Sequence, residues 1–97
     1  MELSIKAIKF EATEKLQDFI QKKASKLEKL SNDIRKVEVS LKVVKPETAH
    51  NKQVDIKVAL RGEELFATKV SDTFEEATTT TLEALERQIS KYKEKQR

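Results

Sequence analysis

Two runs of strictly alternating residues limit this chain more than anything else in it. Val37, Val39, Leu41 and Val43 alternate with Lys36, Glu38, Ser40 and Lys42. Val54, Ile56, Val58 and Leu60 repeat the pattern, with Asp55, Lys57 and Arg61 opposite. A period of two sends apolar side chains to one face of a strand and polar ones to the other. Each run therefore predicts a strand with one covered and one solvated face. The polar residues 45–52, which include the sole proline, join the runs and predict a mobile hairpin loop. Arg61-Gly62-Glu63 holds the sole glycine and predicts a tight turn into a further strand at about residues 64–70.

The rest of the chain supplies one more strand and two helices. Leu3, Ile5 and Ala7 alternate with Ser4, Lys6 and Ile8, a short first strand. Thr13 is placed to cap a helix, with Glu14 in its first turn where the dipole favours an anion. Leu16, Phe19, Ile20, Ala24, Leu27 and Leu30 then recur at helical spacing, which predicts a helix over residues 14–30. It should stop near Ser31-Asn32-Asp33. Asp72-Thr73 caps a last helix, and Thr73 with Glu76 has capping-box spacing. Phe74, Ala77, Thr78, Thr81, Leu85, Ile89 and Tyr92 line its apolar face. The run Thr78 to Thr81 forms helix poorly, yet the flanking periodicity passes through it.

The order β-α-β-β-β-α requires one crossover to a parallel neighbour and lets the other strands pair through hairpins. One apolar stripe per helix and one covered sheet face predict an α+β two-layer sandwich. Two helices lie on one face of a four-stranded mixed sheet, and the other face meets water. The 97 residues suit one domain.

Several function classes lose their ground. No run of about 18 apolar residues exists to cross a membrane, and the N-terminus has no signal-peptide pattern. Cysteine is absent, which removes disulfides and thiolate metal sites and fits a reducing compartment, so a cytoplasmic protein is expected. His50 is the sole histidine and falls in the polar loop, where an exposed, inert residue is expected. No glycine-rich phosphate loop and no metal-ligand spacing occurs. The adjacent pairs Glu63-Glu64 and Glu75-Glu76 do not face each other on a strand or helix. No catalytic residue, metal, cofactor or small-molecule substrate is expected, and the protein reads as no enzyme.

Charge is more informative in its distribution than in its sum of +3. From Asp72 to Glu86 there are five acids and no base; from Arg87 to Arg97 there are five bases against Glu94 alone. On a wheel of about 100° per residue, Lys15, Lys22, Lys26 and Lys29 fall within roughly 60° of one another. Glu14, Asp18 and Glu28 occupy the opposite flank. On the last helix Arg87, Lys91 and Lys95 stand at i, i+4 and i+8, with Lys93 and Arg97 nearby. Side by side, two such helices border a groove of cations suited to a polyanion, whose counterions it would release. A solvated helix face looks much the same, so charge leaves binding and bland solvation level. Aromatics are few, and Phe66 on the fourth strand is no base-stacking platform by itself.

A resemblance tips that balance. Thr13-Glu14-x-Leu16, followed by Phe19-Ile20-x-x-Lys23-x-x-Lys26-Leu27-Glu28, resembles the first helix of the ribosome hibernation-promoting factor and Y-protein family, also called sigma-54 modulation protein. Val37-x-Val39-x-Leu41-Lys42-Val43 is similar to its second strand, and Gly62-x-x-Leu65-x-Ala67 to its third turn and fourth strand. Asp72-x-Phe74-x-x-Ala77, with Leu85-Glu86-Arg87-Gln88-Ile89-x-Lys91-Tyr92-Lys93-x-Lys95, is similar to its last helix. The resemblance covers nearly the whole chain in the same order of elements. It implies a fold related to double-stranded RNA-binding domains and a short-form member, residues 1–97, without the C-terminal dimerisation domain of long members.

It further implies binding of the 30S subunit or 70S ribosome in the decoding channel, against 16S ribosomal RNA. There the protein would occlude mRNA and the A- and P-site tRNAs. The RNA contacts implied are Lys22, Lys23, Lys26 and Lys29 on the first helix and Arg87, Lys91, Lys93 and Lys95 on the last. The chain departs from the family pattern at Ala77-Thr78-Thr79 and Glu83-Ala84, where an Ala-Ile-Asp step and an Asp-Lys pair are usual; with Glu75-Glu76 this weakens the positive surface. A monomer is expected off the ribosome. The alternatives are a general duplex-RNA module and a protein-interaction modulator of transcription docking on the open sheet face.

Overall fold

The alternating runs do form the middle of a sheet. A computed structural model describes residues 1–45 and 49–95. It contains β1 (Glu2–Ala7), α1 (Glu14–Ser25), a 3-10 turn (Lys26–Lys29), β2 (Ile34–Val43), β3 (Lys52–Leu60), β4 (Glu63–Ser71) and α2 (Phe74–Lys95). The strands lie in the order β1-β2-β3-β4, with β1 parallel to β2 and the other pairs antiparallel. This is the expected mixed four-stranded sheet with two helices. Of the expected hairpin loop, residues 46–48 lie outside the described residues, as does Arg97.

Register explains the core. Val37 pairs with Val58, Val39 with Ile56 and Leu41 with Val54, and all six are buried. Leu65 and Ala67 extend two of these rows into β4. On this face Leu16, Ile20 and Leu27 come down from the first helical segment, and Phe74, Ala77, Leu82, Leu85, Ile89 and Tyr92 from α2. The opposite face is wet. There Lys36 lies 3.1 Å and Lys57 3.7 Å from Glu38, and Phe66 and Val70 are exposed. Hydrogen bonding and charge from Lys36 hold the Glu38 carboxyl below its usual range, and Glu38 raises Lys36 in return. At the turn before β4, Gly62 has φ +78°, a conformation that a side chain makes costly.

Both helices start as their caps dictate. The Thr13 hydroxyl accepts from the Leu16 N–H at 3.1 Å, and the Thr73 hydroxyl from the Glu76 N–H at 3.0 Å. The first helix does not stay α-helical to residue 30. Its last turn tightens to 3-10 over Lys26–Lys29, where a three-residue repeat keeps Leu27 buried and brings Leu30 onto the core behind it. Phe10 packs further across than the first helix alone would require: it stacks on Phe74 of α2, ring centroids 5.3 Å apart.

The threonine run is tolerated because three of its hydroxyls bond back along the helix. Thr79 donates to the Glu75 carbonyl, Thr80 to that of Glu76 and Thr81 to that of Ala77, at 3.0, 3.1 and 2.6 Å. Thr78 is fully buried, and its hydroxyl has no partner among the described residues. A buried polar group left unbonded costs stability that an isosteric methyl does not. Thr78→Val is therefore expected to stabilise the fold by about 1 kcal/mol, seen as a raised thermal midpoint. A lowered midpoint would mean that this hydroxyl is satisfied.

Candidate nucleic-acid interface

The two basic rows come from helices whose orientation is set by what their other flanks touch. On the first helix, Glu28 meets the Met1 amino group at 3.2 Å, and Gln17 lines a recess with Ile5 and Ala7. That flank leans over β1. Lys22 and Lys26 stand away from that flank, in a recess lined by the first helical segment alone. On α2, the Gln88 side-chain amide donates to the Phe66 carbonyl at 3.0 Å and Lys95 approaches Glu63 at 3.7 Å. Both partners belong to β4, so the row Arg87, Lys91, Lys95 leans over that edge, away from the first helix.

The expected single groove between two basic rows is thus not formed. The first row lines a recess with no α2 residue in it, and the second row leans over β4. The physical reason is sheet order: α2 packs on β3 and β4, which turns its Lys91 side outward. Lys93 alone reaches the first helix's end, where it shares a recess of 480 Å³ with Lys29, Ser31, Asn32 and Asp33. Tyr92 forms the anchor beneath. Its hydroxyl lies 3.0 Å from Asp33 Oδ2 and 2.8 Å from the Arg61 carbonyl, and burial, then Asp33, raises its pKa. Arg87 has less favourable company, in a recess shared with Glu83, Glu86 and Ser90.

The first helical segment carries the most concentrated positive surface. Lys22, Lys23, Lys26 and Lys29 line one recess of 720 Å³ with Phe19, Gln21 and Ser25, and no acid lines it. The tightened turn helps, since residues three apart eclipse in a 3-10 helix and Lys29 comes to stand over Lys26. None of Lys22, Lys26, Lys29, Arg87, Lys91 and Lys93 takes part in the ion pairs found among the described residues. Lys95 does, and its charge is partly compensated by Glu63. Lys23 lies over the Phe19 ring at 5.6 Å from its centroid. Sequence periodicity assigned Phe19 to the core stripe, and it does pack against the core, but it is only partly buried and also lines the lysine recess. Its position at the margin of the apolar stripe, beside Lys22 and Lys26, was the available signal.

Other chemistry finds little support. His50 is exposed, and its ring lies 3.2 Å from Asp72, whose carboxylate also accepts the His50 backbone N–H. Among the described residues no group of three or more histidine, cysteine, aspartate or glutamate side chains could hold a metal ion. Among them, too, no helix is long and apolar enough to cross a membrane.

Comparison with known proteins agrees with the fold and supplies a family. Residues 3–97 match the family model described as sigma 54 modulation protein / S30EA ribosomal protein. A ribosomal subunit interface protein from Coxiella burnetii superposes with a TM-score of 0.82 at 24% identity, covering 96% of this chain and 98% of that one. The N-terminal domain of Thermus thermophilus Protein Y superposes with a TM-score of 0.80 at 19% identity, over 95% of this chain and 99% of that one. At such identities the two structures show a shared fold. No curated protein matches the chain.

Proposed function

The chain belongs to the sigma 54 modulation protein / S30EA ribosomal protein family, and from that premise we propose that it is a cytoplasmic ribosome hibernation factor acting by occlusion. Its partner is the small subunit, free or within the 70S ribosome. Its place there is the decoding channel, against 16S ribosomal RNA, in space that mRNA and the A- and P-site tRNAs otherwise fill. Initiation stops because the channel is occupied; no bond is made or broken. The two similar structures, a ribosomal subunit interface protein and a Protein Y domain, support a ribosomal setting.

The observation that carries the reading furthest into this chain is the uncompensated lysine recess of the first helix. Four ammonium groups with no acid in the recess lining, three of them outside every ion pair found among the described residues, leave a field that an external polyanion would neutralise. Phosphate binding there releases condensed counterions, which makes affinity fall with salt. Co-sedimentation of the purified protein with 30S subunits and 70S ribosomes across a salt series tests this. Saturable binding near one protein per small subunit, weakening steadily with salt, is the expected result. No binding at low salt would overturn the proposal, and equal affinity for free duplex RNA would replace it with a general duplex-binding role.

A further inference from the structure

We infer that Phe19 and its surrounding lysines form a stacking site for one unpaired nucleobase of ribosomal RNA, an inference that rests on the ribosomal reading above. The four other aromatics are spoken for or misplaced: Phe10 and Phe74 stack on each other, and Tyr92 is buried with its hydroxyl engaged. Phe66 lies on the open sheet face. Phe19 alone opens into a recess that also holds Lys22, Lys23, Lys26 and Lys29. The 720 Å³ of that recess falls within the range of about 300–1,000 Å³ seen for small-ligand sites.

The ring's present neighbour is exchangeable. A lysine ammonium 5.6 Å from the ring centroid, on a water-accessible flank, is held weakly. A nucleobase presents a full π-face to the same ring, an interaction worth more than an exposed cation contact. Lys23, once displaced, remains close enough to join Lys22 and Lys26 on the phosphates flanking that base. A base inside a duplex has both faces covered by its neighbours, so the site takes only nucleotides that are looped out, bulged or single-stranded. Purines, with the larger face, are favoured.

The probe is a hexa-adenylate RNA, followed by NMR and by fluorescence anisotropy with wild-type protein, Phe19→Leu, Phe19→Tyr, and Lys22→Gln/Lys26→Gln. Thermal unfolding checks that each variant is folded. The expected result is an upfield ring-current shift of adenine protons in the wild type, retained by Phe19→Tyr. Phe19→Leu loses that shift and weakens binding about tenfold, while the lysine variant weakens binding but keeps the shift. A folded Phe19→Leu within twofold of wild type, with no adenine shift in the wild type, would overturn the site. Dimethyl sulfate probing of 30S subunits supplies the second arm: one unpaired adenine protected by the wild type and exposed again with Phe19→Leu. Adenine shifts without ribosome binding would instead sink the ribosomal reading and leave the stacking site standing. Ribosome binding without shifts or protection would do the reverse.

Discussion

Replacing Lys22 and Lys26 by glutamate is expected to lower affinity for the 30S subunit about a hundredfold or more near physiological salt. Two phosphate contacts are lost, which alone reduces the slope of log affinity against log salt by about two, and two carboxylates then face the RNA. Neither lysine has an internal partner, so the fold is expected to survive the reversal with little change in thermal midpoint. The pair Arg87→Glu and Lys91→Glu probes the other flank. Because that row leans over β4 and the first lines a recess of its own helix, the two pairs share no partner, and their effects are expected to add in the quadruple variant. Lys95→Gln is expected to matter least, since Glu63 already offsets that charge. Co-sedimentation across salt reads all of these. A quadruple variant that still binds like the wild type would remove both rows from the interface and direct attention to the open sheet face.

The second large effect belongs to the core. Ile56 is fully buried on β3, paired with Val39 and Ala67, in a strand that α2 packs upon. Ile56→Ala removes its apolar contacts and leaves a cavity that flanking strands are too constrained to close, at a cost of about 3–4 kcal/mol. A domain of this size commonly has a total stability of about 5–15 kcal/mol. The variant is expected to unfold about 15 °C or more below the wild type in a thermal scan. A fall of only a few degrees would show that the core collapses around the deletion.

What the sequence disclosed and what it hid follow from the same distinction. The buried faces of β2 and β3 were legible because a one-residue slip would have turned Val37, Val39 and Leu41 to water, whereas their pairing with Val58, Ile56 and Val54 was not, since a two-residue slip keeps the same faces. Helix starts were legible because Thr13 and Thr73 act on backbone groups three residues away. The tightening after Ser25 was not, because Leu27 and Leu30 fit both an α and a 3-10 spacing. A wheel also tells which residues share a flank but not what the flank meets. Lys91 and Lys93 are two positions apart, and only the placement of α2 over β3 and β4 sends Lys93 to the first helix and Lys91 away from it. Phe19 was hidden for a related reason: a residue at the edge of an apolar stripe belongs to the core or to a recess according to how far the neighbouring helix stands off.

The parallel pairing of β1 with β2 bears on how the molecule assembles. β2, β3 and β4 are joined by hairpins, so their contacts close short loops and can form early. Glu2 pairs with Lys36 only after the whole of the first helix has been folded back, and no residue of β1 is fully buried to reward that closure on its own. The order of events is therefore written into the connectivity. The three-stranded meander is expected first, with α2 settling on its apolar face and the N-terminal strand laid down last along the remaining edge, so amide exchange is expected to be faster in β1 than in β2 and β3.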